Sequence, residues 1–123
     1  MLALDIGLKR IGIAKCIEGI VLPQKVILRK NRNQAASEVS NLVIQEKIKK
    51  LIVGLPSDKE MQKRIKHFVG LLELRNIEVI FVDEDFSSKE ALMKMQGSKD
   101  SKKKDGSLDS LAAMVILERF LMR

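Results

Sequence analysis

The amino-acid sequence predicts an α/β fold, a mixed five-stranded sheet flanked by helices, and three observations carry that expectation. Short apolar segments separated by turn residues open the chain. Further apolar runs of strand length then alternate with apolar stripes at helical spacing. Gly and Pro are sparse, at 7 and 2 of 123 residues, which is a globular and not a disordered composition. A three-strand antiparallel meander continued by parallel strands, with helices against the faces of the sheet, is the arrangement this order implies. The length suits one domain spanning residues 1–123.

Met1 to Ile6 is apolar apart from Asp5, and Arg10 to Cys16 repeats that character after Gly7-Leu8-Lys9, which reads as two strands joined by a tight loop. Ile20 to Leu28 is a third strand, and Pro23 assigns it an edge or irregular position. After the polar Arg29 to Arg32 stretch, Val39, Leu42 and Val43 place a helix within Asn33 to Lys49, with Asn33 as its N-cap. Leu51-Ile52-Val53 is a strand closed by Gly54-Leu55-Pro56. Ser57 and Glu60 fit a capping box ahead of the stripe Met61, Ile65, Phe68, Val69 and Leu72, predicting a helix to about Leu74. Glu78 to Val82 is a buried-type strand running into Asp83-Glu84. Ser87 with Glu90 opens a short helix to Met95, stopped by Gly97. Ser98 to Ser107 lacks apolar residues and reads as a loop, and Leu108, Leu111, Ala112, Val115 and Phe120 suit a last helix.

Lys and Arg number 23 against 16 Asp and Glu, a net charge of +7. A pI near 9.7 then favours polyanionic partners such as nucleic acid. Cys16 is the only cysteine, which excludes an intramolecular disulfide. No signal-peptide pattern and no membrane-length apolar run is visible, so the cytoplasm is the expected compartment. The absence of Trp and Tyr, with Phe limited to four, argues against a base-stacking platform and for contacts to phosphates.

Asp5 lies in an apolar strand, where a carboxylate costs free energy unless paired, solvated in a cleft or bound to metal. Asp83 and Glu84 fall at the C-terminal edge of a strand, where sites of open α/β sheets gather. Period-2 alternation sends them to opposite faces, so only one joins Asp5. Glu84 is preferred, with Asp83 as a supporting residue or the alternative ligand. Asp109 stands in the first turn of the last helix, where the helix dipole alone would explain it, but its position behind a lysine-rich loop makes it a third carboxylate. Three such carboxylates can hold two Mg²⁺ or Mn²⁺ ions about 3.5 to 4 Å apart for phosphodiester hydrolysis. Lys9, Arg10 and the lysines Lys102, Lys103 and Lys104 would neutralise phosphates. His67 reads as a surface residue and Cys16 as strand filler.

The stretch Leu4-Asp5-Ile6-Gly7-Leu8-Lys9-Arg10-Ile11-Gly12-Ile13-Ala14 resembles the opening signature of the YqgF/RuvX family, D-x-G-x-K-R-I-G-[IV]-A. Ile52 to Pro56, Asp83-Glu84-Asp85-Phe86-Ser87 and Asp109 to Leu117 continue the resemblance in order along nearly the whole chain. It implies a ribonuclease H-like fold and a metal-dependent nuclease acting in the cytoplasm on the 5′ end of precursor 16S ribosomal RNA, with Holliday-junction cleavage as the other activity ascribed to relatives. The family's acidic positions fall on Asp5, Glu84 with Asp83 beside it, and Asp109. Two departures stand out: Asp85 replaces a family arginine, and the insertion after Gly54-Leu55-Pro56 is shortened to Ser57-Asp58-Lys59-Glu60. Arg64 or the lysine loop is the expected substitute for the lost phosphate contacts.

Two other readings have distinct consequences. A D-x-G hairpin also opens actin-like ATPases and sugar kinases, but those need two lobes to enclose ATP. A non-catalytic nucleic-acid-binding assembly factor would bind RNA without metal and without turnover. The expected assembly is a monomer or weak homodimer.

Overall fold

The computed structural model describes residues 1–83 and 107–122. Five strands, β1 (Leu2–Ile6), β2 (Arg10–Ile17), β3 (Ile20–Leu28), β4 (Lys50–Leu55) and β5 (Glu78–Asp83), accompany helices α1 (Arg32–Gln45), α2 (Lys59–Gly70) and α3 (Ser107–Leu121). Glu84, Asp85, the expected helix opened by Ser87 and Glu90, and the loop carrying Lys102, Lys103 and Lys104 lie outside the described residues.

The strands form one sheet in the order β3-β2-β1-β4-β5. Residues Glu18 and Gly19 link β2 to β3 and both take positive φ, 50° and 82°. Such a two-residue turn matches the twist of an antiparallel hairpin. β1 pairs antiparallel with β2, and β2 with β3, while β4 lies parallel to β1 and β5 parallel to β4. Pro23 sits on β3, the edge strand, opposite Ala14, and the β2–β3 register shifts between Ile11 and Ile13.

Side-chain alternation divides the core between the two faces of the sheet. Leu2, Leu4 and Ile6 of β1 face Val39 and Val43 of α1 and Ile65 and Phe68 of α2. Ala3 points the other way, into a cluster with Ala14, Ile52, Val82 and, from α3, Ala113, Ile116 and Leu117. Asp5 shares the parity of Ala3 and so projects on the α3 face.

Helix boundaries differ from the sequence expectation at four ends, both of α1 and both of α2. α1 is capped by Asn31 and not Asn33: the Asn31 side chain accepts the Gln34 N–H at 2.7 Å, and the Gln34 side chain accepts the Asn31 N–H at 3.4 Å. Asn31 takes an extended φ of −155°, and this Asn-x-x-Gln capping box fixes the start. The helix stops at Gln45 and not Lys49 because Lys47 adopts φ 53°. Lys47 N–H then donates to Ile44 O and Ile48 N–H to Val43 O, a Schellman ending with lysine at the usual glycine position. α2 is capped by Asp58, whose side chain accepts the Glu60 N–H at 2.9 Å, in place of the Ser57–Glu60 box. It ends at Gly70, and Leu72 is buried from the turn beyond.

Candidate functional site

The sheet exposes the C-terminal ends of β1, β4 and β5 along one edge, and the segments that carry the candidate acidic residues meet that edge differently. Asp5 is half-buried at the penultimate position of β1, the central strand. Its register partner is Gly12 of β2, which adds no side chain beside it. The loop after Asp5 is held by the Gly7 N–H donating to Arg10 O at 2.9 Å. A Cβ on Gly7 would lie 2.8 Å from that same carbonyl oxygen, so the glycine of the D-x-G sequence is required by close backbone approach.

Asp109 belongs to the first turn of α3, which packs on the Asp5 face through Ala113, Ile116 and Leu117. Ser110, the next residue, is buried and donates from Oγ to Gln24 O of β3 at 2.8 Å. Gln24 is paired with Ile13, one position from the Gly12 that lies opposite Asp5. That bond anchors the start of α3 one row from Asp5, on the same face.

Asp83 is exposed at the end of β5 and does not join Asp5. It shares parity with Val79, which packs in the α1/α2 core, and with Phe81, whose ring lies 5.9 Å from Lys66 Nζ of α2. There it borders a cleft of about 390 Å³ with Pro56, Ser57 and Gln62. Its backbone carbonyl accepts from Arg119 Nη1 of α3 at 3.4 Å. The preferred partner, Glu84, lies outside the described residues, as do Lys102, Lys103 and Lys104.

Of the expected phosphate ligands, Lys9 is exposed in the turn that follows β1 and Arg10 is half-buried at the start of β2. Lys9 O accepts the Arg29 N–H at 2.8 Å, tying this turn to the end of β3. Arg64 is exposed on α2 and borders a larger cleft of about 450 Å³ together with Gly7, Leu8, Arg29, Arg32, Lys63 and His67. Arg29 Nη1 donates to Gly7 O at 2.6 Å, and its guanidinium carbon stands 5.0 Å from the Phe68 ring centroid. Burial, and after it the charge of Arg32, lowers the Arg29 pKa below the usual guanidinium range. Arg32 Nη1 and His67 Nε2 are 3.1 Å apart.

Arg29, Arg32, Lys63 and His67 are residues that sequence reading missed as a group. The i, i+4 spacing of Lys63 and His67 beside Arg64 was a usable signal. Their convergence with Arg29 and Arg32 was not, because it depends on how α2 docks. Cys16 behaves as expected of strand filler, half-buried against the α3-side cluster.

Comparison with known proteins adds an independent line. The family model for RuvX, described as Holliday junction resolvase, matches residues 1–123. A protein of Sulfurovum sp. (strain NBC37-1) named "Putative pre-16S rRNA nuclease" is 55% identical over 97% of this chain and 95% of its own length. Proteins of the same name from Campylobacter jejuni and Helicobacter pylori strain G27 are 53% and 44% identical, over 97% and 98% of this chain and 95% and 93% of theirs. Among solved structures, T. thermophilus RuvC in complex with a Holliday junction substrate superposes with a TM-score of 0.62 at 13% identity, over 99% of this chain and 95% of that one. Fowlpox virus resolvase with Holliday junction DNA gives 0.58 at 14%, with all of both chains covered. At these identities the likeness concerns the fold, which is that of the RuvC-like resolvases, the ribonuclease H-like fold.

Proposed function

Because the chain belongs to the RuvX family, we propose that it is a metal-dependent nuclease that cleaves phosphodiester bonds in processing the 5′ end of precursor 16S ribosomal RNA in the cytoplasm. The observation that carries this reading is the placement of Asp5, half-buried at the end of the central strand, on the face where α3 and its Asp109 begin. Cationic side chains border the turn that follows it.

The donor set suits a hard divalent ion, since the assigned ligands are all carboxylates, with neither His nor Cys among them. Among the described residues no group of three or more His, Cys, Asp and Glu could hold an ion, and the third assigned ligand, Glu84, is outside them. Asp5, Glu84 and Asp109 would hold Mg²⁺ or Mn²⁺, which when bound activates water and stabilises charge on the leaving oxygen. Asp83, on the other face, would support the end of β5 and not ligate. Lys9, Arg10, Arg64 and the Lys102–Lys104 run would orient the strand by neutralising its phosphates. Among the described residues no helix is long and apolar enough to cross a membrane.

A four-way DNA junction is the alternative substrate, favoured by the description of the matching family. Mg²⁺- and Mn²⁺-dependent cleavage of precursor ribosomal RNA and of a four-way junction, by the wild-type chain and its Asp5→Asn form, separates the readings. Cleavage should fall by about 10²-fold or more in the variant while binding persists, because one carboxylate of the metal site is lost. Binding without cleavage of either substrate by the wild type would instead identify a non-catalytic assembly factor.

A further inference from the structure

We propose that the 450 Å³ cleft beside Gly7 is a second phosphate site, which takes a backbone phosphodiester of the nucleic acid next to the one presented to Asp5. The inference rests on the nuclease reading only for the identity of the neighbouring site.

Five cationic or titratable side chains from three segments converge there: Arg29 from the end of β3, Arg32 from the start of α1, and Lys63, Arg64 and His67 from α2. The described lining contains no carboxylate. The surface ion pairs Lys15–Glu46 and Lys50–Glu78 lie elsewhere and involve none of the five. Like charges held this close repel one another, and a bound polyanion relieves that repulsion by neutralising them. Arg29 is drawn partly out of water by Phe68 and Gly7 O, which gives the cleft one fixed cation, while Arg64 is exposed and Arg32, also exposed, meets His67 Nε2 at 3.1 Å. Guanidinium forks suit the oxygens of a phosphodiester, which accept two parallel N–H bonds.

The cleft and Asp5 lie on opposite sides of the same turn. Ile6 and Asp5 point to opposite faces, and Gly7, which follows them, is a bare backbone position shared by the cleft. A strand crossing the sheet edge at Gly7 can thus set one phosphate at Asp5 and the next against Arg29, Arg32 and Arg64. No Phe, Tyr or Trp lines the cleft and most of its polar side chains are cations, so the contact reads charge and not base identity.

The test uses the full chain in chelator, so that no cleavage occurs, and a labelled single-stranded RNA titrated over a salt series. The double variant Arg32→Ala/Arg64→Ala removes two exposed cations and leaves Arg29 to hold its turn. Lys25→Ala/Lys49→Ala removes the same charge from exposed positions outside the cleft. We expect the cleft variant to bind at least about tenfold more weakly and its log–log salt slope to shrink by about 0.7 per lost phosphate contact, with the control pair changed less than about twofold. Equal losses in the two pairs would overturn the proposal. So would unchanged RNA binding together with lost binding to oligo-glutamate. The nuclease reading is scored separately by Asp5→Asn: selective loss in the cleft variant supports the phosphate site even if the wild type cuts nothing, and cleavage with an undisturbed cleft variant sinks the phosphate site alone.

Discussion

Gly7 shows how one residue decides the shape of the site. Its N–H is bonded to Arg10 O, and a Cβ added to it would stand 2.8 Å from that oxygen, which leaves no room for alanine without backbone movement. Gly7→Ala should therefore cost about 1–3 kcal/mol by overpacking, read as a lowered urea midpoint at unchanged slope. It should also displace the turn that carries Lys9 and Arg10 past Asp5. Arg29 acts on the same turn from outside, through its side-chain bond to Gly7 O and its backbone bond to Lys9 O. Asp5 was legible from sequence because a carboxylate interrupts an apolar strand. Arg29 was not, because nothing in a polar stretch after a strand tells which carbonyl its guanidinium will meet.

The elements were legible in their order and less so at their ends. β1, β2, β3 and β5 lie within a residue or so of the expected bounds, since apolar runs punctuated by Gly and Pro leave little choice of register. The helix ends were decided by competition among neighbouring caps. Asn31 prevails over Asn33 because Gln34 sits three residues beyond it and closes a reciprocal box. Lys47 was invisible as a stop because the left-handed position usually calls for glycine. Lys47→Gly should accordingly stabilise the protein by about 0.5–1 kcal/mol, as the Cβ strain at φ 53° is removed at some entropic cost. A rise in the denaturant midpoint checks this. A fall would show that the lysine side chain contributes more than its strain costs.

For the whole molecule the decisive contact is α3 against the sheet. Ala113 is fully buried against a cluster containing Ala3 and Ala14, so small residues on both sides let the helix approach closely. That approach brings the turn bearing Asp109 to the face of Asp5. Ala113→Leu should force the two apart at a cost of about 1–3 kcal/mol. Under conditions where the variant stays folded, cleavage should decline much more than RNA affinity, because the basic cleft lies on the α1/α2 face and does not depend on α3. Parallel loss of both would show that binding and cleavage use one surface.

The class of fold, the order of its elements and the candidate metal-binding positions among the carboxylates that interrupt the apolar pattern could all be read before any coordinates. These are properties of local periodicity and residue chemistry, and the opposite parity of Asp83 and Glu84 follows from them directly. Which side chains from distant segments meet emerged only in three dimensions: Ser110 on Gln24, Asp83 away from Asp5, and Arg29 and Arg32 beside Arg64 and His67. Helix docking sets those meetings, and docking depends on the summed shapes of two packed faces, which no local pattern encodes.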